Sequence, residues 1–350
     1  MEIQHVEMRG APYEMGLQHG DQCTARIHDV VEHSGRYRAA SEGAQAAIQS
    51  IQATLEAEHA PLLEEMRGIA AGAELPFEDI LHLNTVFDAK GDVSTLAPRC
   101  TAIGLPQTPD GPLVAKTDDV GLDERAYEVC FRVVPDRGWG FICYAFAGSV
   151  WNQGGINGAG LAVAMTGLQP AGEPYLGGVP SLIFLRQLLV QCDTVDEALT
   201  YVHRHPLRIY GCSITLADPN DDQVTVVEDY PALRASRTSR ARPTVHTNHP
   251  IWSETLALAP NQRWQELYSD SEFAENSQSR FENARRLVGQ IPHTIEGLKE
   301  LLGNHAERGA ICQHGQADLH TSVAMIMVPR RRAMIAAEGY GCDPYVEYTL

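Results

Sequence analysis

Lysine is scarce in this chain: three occur in 350 residues, at Lys90, Lys116 and Lys299. Basic residues number 27 against 45 acidic ones, a formal charge of −18. Both parts of the chain share the deficit, with a net −9 in residues 1–99 and again in residues 100–350. Neither part has the basic excess that phosphate backbones demand, so no nucleic-acid partner is expected. Without a lysine cluster there is no patch for anionic lipid either. The most basic spot, Arg330-Arg331-Arg332 after Pro329, reads as a turn. No stretch approaches the ~20 apolar residues of a membrane span, so no membrane partner is expected. Met1-Glu2-Ile3-Gln4-His5 offers neither a positive n-region nor an apolar h-region, which points to a cytoplasmic protein. No CxxC occurs. The eight cysteines stand apart at 23, 100, 130, 143, 192, 212, 312 and 342. A disulfide framework is therefore not expected, and most of them read as small buried hydrophobes.

What is present fits a large folded core. The chain is 44% hydrophobic, and its 30 glycines and 20 prolines are ordinary usage, far from fibrous or disordered compositions. Its texture changes near residue 95. Residues 12–90 carry apolar side chains at helical spacing: Met15, Ile27, Val30 and Val31, then Ile48, Ile51 and Leu55, then Leu62, Leu63, Met66 and Ile69. Residues 91–98 read as a loop. From residue 100 the pattern is of hairpins: 100–119 with a turn at Pro109-Asp110-Gly111, strands at 127–135 and 139–148, and a Gly-rich turn and strand over 155–168. Two helices follow at 180–191 and 194–204, the second with Thr194 as N-cap and Glu197 as capping-box partner. A meander spans 211–237, helix returns over 262–303, and a hairpin closes at 320–339. An all-helical front before antiparallel hairpins with helical blocks predicts an α+β fold.

Several positions are candidates for chemistry. Cys100 begins a strand directly after a loop, with Thr101 following; a buried core cysteine is the plainer reading. Asp118 and Asp119 end a strand, where acids commonly cap. Asn248 lies between His246-Thr247 and His249-Pro250. GGINGAGLAV (154–163) loosely suggests a dinucleotide loop, but its glycines lead into a strand rather than a helix. A zinc set of His305, Cys312, His314 and His320 lacks tight ligand spacing, so no metal is assigned. A Cys–His pair of Cys100 with His246 or His249 has no local signature behind it.

Six segments in one order change the balance: GAPYEMGLQHGDQ (10–22), EEMRGIAAGAEL with DILHLNTVFD (64–75, 79–88), CTAIGLPQTPDGPLVAKTDD (100–119), FAGSVWNQGGINGAGLAVAMTGL (146–168), TVHTNHP (244–250), and ICQHG with HTSVAMIMVPRRRAMIAAEG (311–315, 320–339). Together they resemble the acyl-coenzyme A:6-aminopenicillanic acid acyltransferase (isopenicillin N acyltransferase-like) family, self-processing N-terminal-nucleophile (Ntn) hydrolases of the C45 type. The resemblance implies a four-layer αββα sandwich as one domain, built from a helical α part (1–99) and a catalytic β part (100–350). It implies autoproteolysis at Arg99–Cys100, with Cys100 as nucleophile. It further implies an oxyanion donor in Asn248, an orienting acid in Asp119, a supporting hydroxyl in Thr101, and a pocket floor near Asn157 and Gly155. Thr117 and Gln313 stand where many relatives have Asn and Arg, which bears on substrate binding. The opening signature residues Tyr13, Gly16, His19 and Gly20 read as helix packing.

The activity implied is cleavage or transfer of an acyl group at a small-molecule amide, with hydrolysis of a small N-acyl amine or N-acyl amino acid favoured. No cofactor is implied; acyl-coenzyme A enters only as a co-substrate of transfer. The partners implied are the amide substrate and the chain's own two fragments, and a homo-oligomer is left open. Two rivals remain: an unprocessed relative that only binds ligand, and a Cys–His thiol protease.

Overall fold

The structure, a computed structural model, describes residues 3–35, 42–90, 99–168, 171, 175–207, 211–258, 272–316 and 318–350. The loop expected at 91–98 and the first part of the 262–303 helix lie outside them. The front of the chain forms β1 (Gln4–Gly10), α1 (Pro12–Gly35), α2 (Glu42–Glu58), α3 (Ala60–Gly72) and α4 (Phe77–Lys90). Then come β2 (Arg99–Leu105), β3 (Leu113–Val120), β4 (Glu128–Pro135), β5 (Phe141–Phe146), β6 (Gly154–Asn157), β7 (Ala162–Gly167), α5 (Ser181–Gln191) and α6 (Val195–Arg204). The remainder is β8 (Cys212–Ala217), β9 (Val224–Asp229), β10 (Arg234–Ser239), β11 (Thr244–His246), α7 (Ser253–Leu256), α8 (Glu272–Val288), α9 (Ile295–Leu302), β12 (His314–Gln316), β13 (Leu319–Val328), β14 (Ala333–Ala337) and β15 (Tyr345–Thr349).

The strands make two sheets. One has the order β1-β4-β5-β6-β7-β8-β9-β10; the other runs β11-β2-β3-β13-β14-β15, with β12 also on β13. Strand periodicity of two sends alternate residues to opposite faces, and that alternation builds the layers. Ala102, Val114, Met325 and Met327 of the second sheet meet Ile142, Tyr144, Ala164 and Val226 of the first in the core between the sheets. Their neighbours Ile103, Ala115 and Ile326 point the other way, onto Ala284 and Val288 of α8 and Leu298 and Leu302 of α9. On the far side of the first sheet, Phe131, Phe141 and Val163 pack with Ile27, Met66, Ile69, Leu185 and Leu188 from the helices. Helix, sheet, sheet and helix therefore stack in four layers, the αββα arrangement expected.

The front is not all helical. β1 pairs in parallel with β4, Val6 opposite Phe131 and Met8 opposite Val133. Only two inward side chains mark it, Val6 and Met8, too few to register as a strand against the long helical pattern that follows. Thr194 does cap α6, its Oγ1 accepting from Glu197 N at 3.2 Å, while the Glu197 carboxylate returns to Asp193 N at 2.7 Å. Arg330 and Arg331 lie in a 3-10 turn closed by Arg332 at φ 49°, which is the turn expected there.

Helices α1 and α3 touch backbone to backbone. A Cβ on Gly16 would lie 2.0 Å from Glu65 O, and one on Gly68 would lie 2.1 Å from Tyr13 O. Gly20 and Gly72 repeat the contact one turn on. Gly16 and Gly20 in the opening signature thus serve helix packing, whereas Tyr13 brings only its backbone carbonyl to the contact and its side chain is exposed. His19 instead ties α1 to the first sheet: it is fully buried, its Nε2 accepts from Gly148 N at 2.9 Å, and its ring meets Phe131 edge-on at 4.7 Å. Burial, with Arg186 nearby, pulls it down to about 3.

Candidate active site

β2 and β3 form the hairpin that carries the site, with Cys100 opposite Asp118 and Arg99 opposite Asp119. The Arg99–Cys100 peptide bond therefore lies inside a ladder. Residues 102, 114 and 325 face the inter-sheet core, so Cys100, Lys116 and Asp118 share that face. All three are fully buried. The Cys100 Sγ donates to Asp118 Oδ1 at 3.5 Å and lies 3.9 Å from Gln153 Oε1. Lys116 Nζ contacts the Asp118 carboxylate and lies 3.4 Å from Gln153 Oε1. Asp118 Oδ2 is buried with no hydrogen-bond partner among the described residues.

β11 pairs antiparallel with β2 as far as His246 opposite Ala102. Two residues on, the Asn248 side chain replaces the ladder: its Oδ1 accepts from Cys100 N–H at 3.0 Å. Its Nδ2 donates to Gly167 O at 3.0 Å. In the intact chain Asn248 therefore holds the nitrogen of the Arg99–Cys100 bond, and its amide donor is directed at β7 rather than at an oxyanion. From α8, Arg280 reaches the same strand. Its Nη1 donates to Cys100 O at 2.6 Å and to Thr101 Oγ1 at 3.0 Å, its Nη2 to Asn248 Oδ1 at 2.8 Å, and its Nε to Asn276 Oδ1 at 2.8 Å.

Asp119 faces the helix side. Its carboxylate accepts from Thr321 Oγ1 at 2.7 Å and from Thr117 Oγ1 at 3.4 Å. Burial pushes it up to about 6, with Arg280 the strongest opposing influence. The acid facing the thiol is Asp118; Asp119 meets Thr117 and Thr321 on the other face, with the charge of Arg280 nearby. Gln313 is buried in the same shell. Its N–H donates to Thr321 Oγ1 at 2.9 Å, and its side chain engages Ala310 O and Asn276. Burial pushes the Cys100 thiol up, while Lys116 and Arg280 pull it down and Asp119 adds to the rise. Burial pulls Lys116 down, against Cys100, Glu128 and Asp119. Glu128, held by Ser322 Oγ at 3.0 Å, is pushed up to about 7 by burial.

Asn157 and Gly155 are not part of this group. Asn157 Nδ2 donates to Leu189 O at 3.0 Å and Cys192 O at 2.8 Å, and its Oδ1 accepts from Ala159 and Leu161 N–H. It fastens the β6–β7 turn to the end of α5. A Cβ on Gly155 would meet Ile142 O at 2.4 Å and Leu189 Cδ1 at 3.0 Å, so that glycine lets the sheet approach α5. The contribution of this segment is Gln153, just before β6. Beside it Asn152 is fully buried, with neither amide atom hydrogen-bonded among the described residues.

The histidines of the thiol-protease reading are engaged elsewhere. His246 Nε2 pairs with Glu228 Oε1 at 2.7 Å and its Nδ1 with Thr247 O at 2.9 Å. His249 Nδ1 meets Ser277 Oγ at 2.8 Å. Lys116, Gln153 and Arg280 carry no candidate role in the sequence, and Asp118 stands there only as one of two adjacent strand-end acids. Lys116 carries a legible signal, a lone lysine inside the strand LVAKTDDV; Arg280 has none, being one arginine on a polar helix.

Residues 107–334 match the family model described as acyl-coenzyme A:6-aminopenicillanic acid acyl-transferase. The chain belongs to that family. Asp119, Asn248 and Arg280 fall inside the matched stretch and Cys100 seven residues before it. A relative in Archaeoglobus fulgidus, an uncharacterized protein, is 27% identical over 241 residues, covering 57% of this chain and 38% of that one; the match spans well under two thirds of that relative's length. Similar solved structures include penicillin V acylase from Agrobacterium tumefaciens (TM-score 0.46, 18% identity, 68% of this chain and 83% of that one). The Caenorhabditis elegans ortholog of N-acylethanolamine-hydrolyzing acid amidase is another (0.44, 15%, 66% and 93%). A mutant of conjugated bile acid hydrolase from Clostridium perfringens is a third (0.43, 12%, 72% and 97%). No helix among the described residues is long and apolar enough to cross a membrane.

Proposed function

We propose that this family member is a self-processing cysteine amidohydrolase that forms a thioester at Cys100. The observation that carries the reading is the grip on both sides of one residue, Cys100. The Cys100 thiol lies against Asp118 and beside Lys116, while Asn248 holds its N–H and Arg280 its carbonyl oxygen. Asp118 accepts the thiol proton as Sγ attacks the Arg99 carbonyl. Lys116 steadies the thiolate through its positive charge. The C–N bond breaks as a proton reaches the Cys100 nitrogen, and water hydrolyses the thioester to the Arg99 carboxylate.

The new α-amine stays within reach of Asn248 Oδ1 and serves as base in later turnovers. The acyl group of the substrate then passes from its amide nitrogen to Sγ, and from Sγ to water. Because the Asn248 amide donor already faces Gly167 O, the buried and unpartnered Asn152 amide is the oxyanion donor we assign. An unpaired buried amide costs about 1–3 kcal/mol, a cost retained where donors are needed. The substrate class is a small N-acyl amine or N-acyl amino acid, with no cofactor; acyl transfer, with acyl-coenzyme A as co-substrate, is the alternative outcome at the same thioester.

The test is a panel of N-acyl amines and N-acyl amino acids followed by rapid acid quench. The reading expects a transient acyl adduct on Cys100 and no turnover in Cys100→Ala. Turnover that survives that substitution overturns it.

A further inference from the structure

Away from the candidate site, three chain segments converge at one end of the second sheet. The loop after α9 carries His305 and Cys312, β12 opens with His314, and the turn between β14 and β15 carries Cys342. One ligand atom from each of these four residues lies within 4.8 Å of all the others. Cys312 Sγ is 3.3 Å and Cys342 Sγ 3.7 Å from His314 Nε2. In a tetrahedral zinc site, Zn–S of about 2.3 Å and Zn–N of about 2.05 Å place S and N about 3.6 Å apart. The observed separations bracket that value. The His314 ring is also fixed from outside. It stacks on Tyr340 at 3.7 Å and 14°, and Tyr340 in turn has Arg125 over its face at 4.1 Å and His320 Nδ1 on its hydroxyl at 3.0 Å.

We infer that His305, Cys312, His314 and Cys342 bind one zinc ion, as a structural Cys2His2 site that ties the 304–314 loop to the β14–β15 turn. Two thiols and two imidazoles suit zinc and disfavour the hard, oxygen-seeking Mg2+ and Ca2+. Binding releases the two thiol protons, and two thiolates neutralise the ion. Three of the four residues are exposed and Cys312 is buried, so the metal enters from solvent onto an anchored sulfur. The set differs from the one drawn on sequence. His320 gives way to Cys342, which lies 28 positions from His314 and is brought in only by the return of β14. The ion would brace the residues beside Gln313, whose N–H meets Thr321 Oγ1 and through it Asp119. It needs nothing from the chemistry at Cys100.

The experiment uses the full chain, purified with reductant, without chelator and with any affinity tag removed, and measures zinc by elemental mass spectrometry. About one zinc per chain is expected, falling about tenfold or more in Cys342→Ser and in His305→Ala. Both changes are at exposed positions, and the other convergent groups, His5 with Cys130 and Glu338 and Glu58 with His59 and His205, are untouched by them. Exchange into Co2+ gives a second reading independent of any variant: tetrahedral d–d bands and a thiolate-to-cobalt band in the near ultraviolet. Zinc content unchanged by Cys342→Ser, absence of the thiolate–cobalt band, or a Cys312–Cys342 disulfide in peptide maps of the reductant-treated protein each overturns the inference.

Discussion

Arg280 joins the helical layer to β2 at Cys100, and replacing it with Met should fail in two separable ways. The guanidinium is fully buried and donates to Cys100 O, Thr101 Oγ1, Asn248 Oδ1 and Asn276 Oδ1. Methionine keeps most of the volume and removes the charge and all four hydrogen bonds. Asp119 then loses its strongest favourable influence. Breaking a buried charged contact of this kind costs about 3–5 kcal/mol, because the remaining groups stay out of water. Measured in a Cys100→Ala background, where no cleavage confuses the comparison, urea unfolding should show that loss. With Cys100 present, the Cys100 carbonyl and Asn248 lose their common clamp. A misplacement of about 1 Å at a reacting centre costs about 10²-fold in rate, so fragment formation should slow by about that much. Arg280→Lys, a point charge without the fork, should recover part of the stability and little of the rate. An Arg280→Met protein within ~1 kcal/mol of its parent and processed at the parental rate would refute this account of the clamp.

Lys116→Met should leave Asp118 buried beside an unassisted thiol and slow fragment formation by at least ~10²-fold, followed by gel densitometry over time. Gly68→Ala drives a methyl into Tyr13 O and should cost about 1–3 kcal/mol or more in urea unfolding, without changing the cleavage site. His19 gives a pH dependence. Its folded value, about 3, lies below the ordinary 6.5, so the unfolded chain binds the proton first and stability falls as pH drops below 6.5. Between pH 7 and pH 5 the stability advantage of the parent over His19→Gln should shrink by about 2 kcal/mol; an advantage constant across that range refutes the assignment of His19 as a buried neutral acceptor.

The sequence made the layers legible because alternation and helical spacing are local. Cys100 stands out as a candidate through the order of the segments around it. The partners of the thiol were not legible, because sheet register decides them. Asp118 and Asp119 are adjacent acids, and only the pairing of Cys100 with Asp118 tells which one shares its face. Gln153 comes from the approach to β6 of the other sheet and Arg280 from the helix on the reverse face of Cys100's own sheet, 180 positions away, so no spacing announces either. Asn157 misled for a related reason: an Asn among glycines serves a turn and a pocket equally well in sequence, and here four backbone partners claim it. β1 escaped notice because its identity depends on β4, more than a hundred residues later.

The central claim is that Cys100 cuts the chain before it serves as nucleophile. Intact mass of the purified protein under denaturing conditions, beside a Cys100→Ala control, tests it most directly. Self-cleavage gives fragments of 99 and 251 residues, the larger beginning at Cys100, with one 350-residue chain in the control. A single full-length chain in both proteins, or the same two fragments in the control, would contradict it.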